Sequence, residues 1–224
     1  RTKIYNSHYK GCKNLSNYFL HKKLKSFIQM SSGGEYGKIK SPHKETDECN
    51  PKSFYSRAKF LATKHLIRLY NKHSFPFTIL RLYQAYGEKQ DINRLIPIVI
   101  TSCIKDKQFP CSEGKQFRDF IHVKDVVGAI IKSIRQKKSK GQIFNLGSGK
   151  LIQIKKLIIF IRNKIGKGEP LFGQIGLRNE ESLKVYPEIK KIKNFLNWQP
   201  KILLKSGINN SIKYYKKELV KKIH

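Results

Sequence analysis

The sequence predicts an α/β fold with parallel strand pairing, and three observations carry that expectation. SFIQMSS (26–32) reads as a buried strand, the stretch from Asn50 to about His73 as a long helix, and FTILRLY (77–83), rich in β-branched and aromatic residues, as a second strand. Strand, long helix and strand in that order imply a crossover unit, whose two strands lie parallel. With 39% hydrophobic residues in 224 positions, the chain can bury the core of one large domain or two small ones.

Taken in order, GCKNLSNYFLHKKL places Leu15, Tyr18, Phe19 and Leu24 near one helical face. The strand 26–32 ends at Ser31 and Ser32, and Gly33, Gly34, Gly37 and the polar stretch through Pro42 to Asn50 form a loop. Asn50 and Pro51 make a helix start, a capping side chain followed by a residue whose φ suits the first turn. Beyond Gly87, NRLIPIVITSCIK reads as a helix entered near Pro97, FRDFIHV as a short extended segment and VKDVVGAIIKSI as a helix. QIFNLGSG is a strand and turn, IKKLIIFIRNKI a helix, and the remainder from Gly166 is irregular up to an amphipathic helix near Ser206 to Leu219. NLGSGKL (145–151) is a strand-to-helix turn rather than a phosphate-binding loop, because Phe144 stands where the first glycine belongs and Leu151 where a metal-binding hydroxyl belongs. No strand in the sequence runs into Gly-x-Gly-x-x-Gly.

The net charge of +32 raises the question of a nucleic-acid partner, but the lysines are spread along the whole chain with only short runs such as Lys137, Lys138 and Lys140. A solvated lysine-rich surface is the preferred reading, with no nucleic acid as partner. Cys12, Cys49, Cys103 and Cys111 form no Cys-x-x-Cys pair, which fits buried thiols in a reducing, cytoplasmic setting and no metal. No apolar run approaches the roughly 18 residues of a membrane span, so no membrane association is expected. Starting with Arg1 inside patterned sequence, the chain reads as the later part of a longer protein.

Five tyrosines have a lysine four positions on: Tyr9/Lys13, Tyr18/Lys22, Tyr36/Lys40, Tyr55/Lys59 and Tyr186/Lys190. Spacing alone does not choose among them, but only Tyr55/Lys59 falls in the opening turns of a long helix that follows a strand ending in serines. Open α/β sheets bind ligands at that carboxyl edge, so Ser, Tyr and Lys can converge there. A nearby ammonium favours the phenolate, moving a group with a pKa near 10 toward the range of a general acid or base.

The motifs SSGGEYG (31–37), PKSFYSRAK (51–59), ILRLYQAYG (79–87), RLIP (94–97), FRDFIHV (117–123), IFNLGSG (143–149) and LNWQP (196–200) occur in an order that resembles the extended short-chain dehydrogenase/reductase family, the NAD-dependent epimerases, dehydratases and reductases of nucleotide sugars. The resemblance implies a partial Rossmann-like parallel sheet over 1–87 and a smaller mixed α/β substrate-binding domain over 88–224, with 118–148 partly returning to the core. It also implies Tyr55 as general acid/base, Lys59 tuning Tyr55 and holding a nicotinamide ribose, Ser32 bonding the reacting oxygen, and Tyr83 at the cofactor, which would be NAD or NADP. Gln84, Leu95, Arg118, Arg178 and Glu181 would bind the nucleotide sugar, the arginines gripping its diphosphate. A salt bridge from Arg118 to Asp119 or Asp125 is the competing structural role. The helices near 12–24 and 53–73 would pack in a homodimer.

The departures narrow this reading. Gly33-Gly34 replaces the Asp-Glu of sugar 4,6-dehydratases, Gln84 a usual Asn, Lys124 a common Asp and Asn197 a common Gly. The expected activity is therefore a nucleotide-sugar reductase or 4-epimerase acting on a deoxyhexose in surface-polysaccharide synthesis. The alternatives are a decarboxylase or dehydratase of the same family, or a non-catalytic relative that binds nucleotide sugar.

Overall fold

The computed structural model describes residues 1–176 and 182–221. Helix α1 (Thr2–Tyr5) runs through a π-helical stretch (Asn6–Lys10) into α2 (Gly11–Phe19). Here the sequence expectation misplaces the buried face. Cys12 and Ser16 point inward, while Leu15 and Tyr18 are 55% and 63% exposed. The helix also ends at Phe19, so Leu24 reaches the core from the connecting segment.

Strand β1 (Phe27–Ser32), α3 (Phe54–His73) and β2 (Phe77–Leu82) form the predicted crossover, and β1 and β2 pair in parallel with Phe27 opposite Phe77 and Ser32 opposite Leu82. The helix begins three residues later than Asn50-Pro51 suggests. Its cap is Ser53, whose hydroxyl accepts from the Ser56 N–H at 3.1 Å. Because β1 is an edge strand it is mostly half-buried rather than buried, whereas β2 is flanked on both sides and is buried along nearly its whole length.

Strand β3 (Gln84–Tyr86), α4 (Leu95–Ile104), β4 (Gln108–Pro110), β5 (Phe117–His122) and α5 (Val123–Arg135) follow. Strand β6 (Gln142–Leu146) then returns to β2, again in parallel, giving the order β1-β2-β6. Beyond it lie β7 (Leu151–Gln153), α6 (Ile154–Ile165), β8 (Glu169–Leu171), β9 (Lys184–Val185), α7 (Lys190–Leu196) and α8 (Leu204–Lys221). The stretch after Gly166 thus holds more regular structure than its sequence suggests. In a second sheet β5 pairs with β3 and β9 in parallel and with β7 antiparallel, while β4 and β8 form a separate two-stranded parallel sheet. Of the stretch 118–148, it is β6 that joins the first sheet.

Three apolar clusters follow this division. Leu66, Phe75 and Ile79 lie between the first sheet and α2 and α3, Phe144, Ile192 and Trp198 lie on its other face under α5 and α7, and Ile100, Leu157 and Ile208 join α4, α6 and α8. The fold is a Rossmann-like α/β sheet with a second, mixed lobe against it.

Candidate active site

Ser32 ends β1, and the first turns of α3, tied to β1 through Lys59, carry Tyr55 and Lys59. Ser32 ends β1 in extended conformation and its hydroxyl accepts from the Gly34 N–H at 3.1 Å, capping the 3-10 turn Gly33–Tyr36. Lys59 is buried, and its ammonium donates to the Met30 carbonyl at 2.7 Å, tying α3 to β1 and leaving two of its three donors for other partners. Tyr55 is 40% exposed, with the Lys59 Nζ 5.7 Å from its ring centroid and the His8 ring edge-on at 5.0 Å.

The electrostatics differ from what the Tyr–Lys spacing suggests. Burial pushes the Tyr55 phenol up, and the cation that pulls it back is Arg94, not Lys59, while Glu35 pushes it further up. Burial likewise pulls the Lys59 ammonium down, opposed by Glu35. In this arrangement Tyr55 holds its proton through neutral pH, a state suited to donating it.

Behind these residues lies a sealed polar network. The Glu35 carboxylate, fully buried, accepts from Ser31, from Thr63 of α3 at 2.9 Å and from the Arg81 Nε of β2 at 3.0 Å. Arg81 Nη1 donates to the Tyr36 hydroxyl at 2.9 Å, which donates to Asn145 Oδ1 of β6 at 2.8 Å. Burial alone would pull the Arg81 guanidinium down, but Glu35 and Tyr36 hold it above its ordinary value. The Asn145 amide donates to the His43 carbonyl at 2.9 Å, and the His43 Nδ1 meets the Tyr83 hydroxyl at 2.8 Å. Glu35 thus fastens β1, α3 and β2 together beside Ser32 and Lys59. Sequence reading missed this network. Its signal was a charged Arg81 inside FTILRL and Asn145 inside QIFNL, since a polar side chain in a central strand has to be paired.

Tyr83 sits in this network rather than on open surface, 9% exposed, and its ring closes over Gly33. A Cβ at Gly33 would lie 2.7 Å from that ring, and one at Gly34 2.7 Å from the Ser56 hydroxyl. The Gly33-Gly34 departure is therefore built into the packing, which has no room for an Asp-Glu pair in this form.

Next to this turn opens a cavity of about 640 Å³ that reaches from Gly34, Ser53 and Ser56 to β5 and α6. Gln84, Leu95 and Arg118 all line it. Arg118 is 8% exposed, and its Nη1 donates to the Phe117 carbonyl at 2.8 Å and the Leu183 carbonyl at 3.3 Å. The carboxylates considered as its partners serve backbone turns: Asp119 accepts from the Ser148 and Lys150 N–H groups, and Asp125 from those of Lys201 and Ile202. Arg178 and Glu181 lie outside the described residues. Gln90 and Gln116, which the motifs did not single out, also line the cavity. Among the described residues no group of three or more His, Cys, Asp or Glu is arranged to hold a metal ion, and no helix is long and apolar enough to cross a membrane. Cys12, Cys103 and Cys111 are buried free thiols, and Cys49 is half-buried.

Residues 1–147 match the family model "NAD dependent epimerase/dehydratase family". A Methanocaldococcus jannaschii protein provisionally named a UDP-glucose 4-epimerase is 33% identical over 202 residues, which is 86% of this chain and 64% of that protein. The dTDP-4-dehydro-6-deoxyglucose reductase of Escherichia coli is 30% identical over 83% of this chain and 60% of its own length. The crystal structure of the Thermotoga maritima UDP-glucose 4-epimerase with UDP-glucose superposes with a TM-score of 0.90 at 25% identity, covering 96% of this chain and 71% of that one. The chain spans 64% and 60% of the length of these two curated relatives. With its motifs in order, its Rossmann-like sheet and a family model matching most of its length, the chain belongs to the NAD-dependent epimerase/dehydratase family.

Proposed function

We propose that this chain carries the reacting-end and substrate-binding parts of a nucleotide-sugar oxidoreductase or 4-epimerase, with Tyr55 as general acid/base. The observation that supports it most is the grouping of Ser32, Tyr55 and Lys59 at the carboxyl end of β1, beside the cavity whose wall carries Gln84, Leu95 and Arg118. Ser32 holds the reacting oxygen of the sugar, and Tyr55 gives that oxygen a proton or takes one from it. Arg118, whose planar fork suits a diphosphate, orients the nucleotide.

The donor set here fits the ribose end of a nicotinamide cofactor, NAD or NADP. The Lys59 ammonium keeps two donors in hand beside the half-exposed Tyr55 phenol. Such a cofactor, when bound, supplies hydride transfer at the sugar carbon. No glycine-rich strand-to-helix loop occurs in the sequence, so no residue of this chain is assigned to the pyrophosphate. The packing of Gly33 and Gly34 against Tyr83 and Ser56 favours a reductase or epimerase over a 4,6-dehydratase. A homodimer through α2 and α3 belongs to the proposal, since Leu15, Tyr18 and Leu61 leave apolar surface on those helices. The free thiols fit a cytoplasmic protein of polysaccharide synthesis.

A non-catalytic nucleotide-sugar-binding role is the second reading, favoured by a Tyr55 phenol that burial pushes up instead of toward neutrality. Tyr55→Phe separates the two. Measured in a polypeptide that includes a dinucleotide-binding segment, catalysis predicts a loss of turnover of about 10²–10⁴-fold with unchanged substrate affinity. Unchanged turnover would remove Tyr55 from the chemistry.

A further inference from the structure

We propose that a second pocket, formed where α5, the end of α7 and residues 197–201 meet, is a binding site for a small anion bearing phosphate groups. It encloses about 540 Å³, and no residue lines both it and the cavity beside the Ser32 turn. Lysine makes up 38 of the 224 residues of the chain but four of the nine that line this pocket: Lys124, Lys132, Lys193 and Lys201. The one carboxylate on the wall, Asp125, is committed elsewhere, accepting from the Lys201 and Ile202 N–H groups at 3.0 Å each. Among the described residues Lys132, Lys193 and Lys201 form no ion pair, and Lys124 has only a 4.0 Å contact with Glu88. Ammonium groups gathered on a concave wall repel one another, and an anion in the pocket relieves that repulsion.

Trp198, the only tryptophan in the chain, gives a second and independent observation. It is 6% exposed, and its indole Nε1, on the side of Gly128, has no hydrogen-bond acceptor among the described residues, although a buried tryptophan nitrogen usually finds one. This atom is not among the four unpartnered polar atoms sealed inside the fold, and both Trp198 and Gly128 line the pocket, so the N–H is open to a bound molecule. Like an ammonium, an indole N–H only donates. Lys132 donates to the Asn197 carbonyl, which fixes its ammonium on the wall and leaves it two further donors. Two of the departures seen in the sequence, Lys124 and Asn197, fall here, and the first puts an ammonium where relatives commonly carry a carboxylate. A group rich in acceptor oxygens and negative charge, a phosphate or diphosphate, meets all of these donors at once. The concave shape suits a small molecule rather than a nucleic-acid backbone, which needs an extended basic stripe. Binding here does not depend on the chemistry proposed for Tyr55.

Pyrophosphate, titrated into the 224-residue chain at an ionic strength held constant with sodium chloride, tests this through the emission of the single tryptophan and the heat of binding. A saturable signal is expected. Lys193→Gln combined with Lys201→Gln removes two ammonium groups that hold nothing else in the fold, and should weaken binding by about 3–30-fold without lowering the melting temperature of the unliganded chain. Lys23→Gln combined with Lys25→Gln removes the same charge from exposed positions ahead of β1, and should leave binding unchanged. Equal weakening by the two pairs would mean that pyrophosphate responds to net charge alone, and overturns the proposal. Binding that survives intact in the Lys193 and Lys201 variant belongs to another site and overturns it too, as does the absence of both emission change and heat in the wild-type chain.

Discussion

The two sides of the Ser32 turn are built on opposite terms. On one side, Glu35, Arg81, Tyr36, Asn145, His43 and Tyr83 are all nearly or fully buried, and each polar group finds another. On the other, a cavity of about 640 Å³ is lined by apolar side chains such as Leu95, Val99 and Ile158 together with polar and charged ones such as Ser53, Gln84, Arg94 and Arg118. A network satisfied from within holds a shape, because removing any member leaves an unpaired group in a low-dielectric interior. An open cavity with polar groups among apolar ones has room left for a ligand. Substitutions on the sealed side should therefore act on stability first, and those on the cavity side on binding.

The largest effect expected from breaking the sealed side is that of Arg81→Leu. It leaves the Glu35 carboxylate buried and uncompensated, with both partners 4% exposed or less, and should cost about 3–5 kcal/mol in urea denaturation. The double change Glu35→Met with Arg81→Leu should recover a large part of that loss, since no lone charge remains. Next comes Gly33→Asp, which tests whether the glycine pair is structural. Its Cβ must displace the Tyr83 ring, and overpacking of this kind should cost about 1–3 kcal/mol. An undiminished midpoint would show that the turn has room for an acidic pair. Tyr83→Phe is milder and removes only the hydroxyl that meets His43 Nδ1, for about 1–2 kcal/mol by the same measurement.

A pH titration sharpens the comparison without mutation. Burial pushes the thiols of Cys12, Cys49 and Cys103 up to about 11 and the Tyr36 phenol up to about 12. The unfolded chain releases these protons near the ordinary values of about 8.5 and 10, so it ionises first as pH rises. The stabilisation is complete below about pH 8.5 and is lost progressively as pH climbs toward 11 and 12. Denaturation midpoints between pH 8 and 11 should fall steadily, and a flat profile would contradict the burial of these groups.

Much of the frame was legible in the residues. The run FTILRLY, the long helix ahead of it and the strand ending in Ser31-Ser32 dictated a parallel crossover, because periodicity and β-branched content are local properties that follow the chain. The same locality brought Tyr55 and Lys59 onto one stretch of helix, and the order of seven motifs pointed to the family that the comparisons then supplied. Local pattern failed where burial depends on what lies opposite. Leu15 and Tyr18 look like core residues and face outward, and Asn50-Pro51 looks like a cap while Ser53 supplies it.

What the sequence by itself determined was the class of sheet, the order of its elements and which residue types could meet at its carboxyl edge. Only the tertiary structure decided that Arg94 rather than Lys59 is the cation opposing the upward shift of the Tyr55 phenol, that Glu35 joins three elements, and that Gln84, Leu95 and Arg118 line one cavity. The physical reason is distance along the chain. Glu35 and Arg81 are 46 residues apart, and Tyr36 and Asn145 109 apart. Electrostatic and hydrogen-bonding environments are set by neighbours in space, which no local pattern encodes.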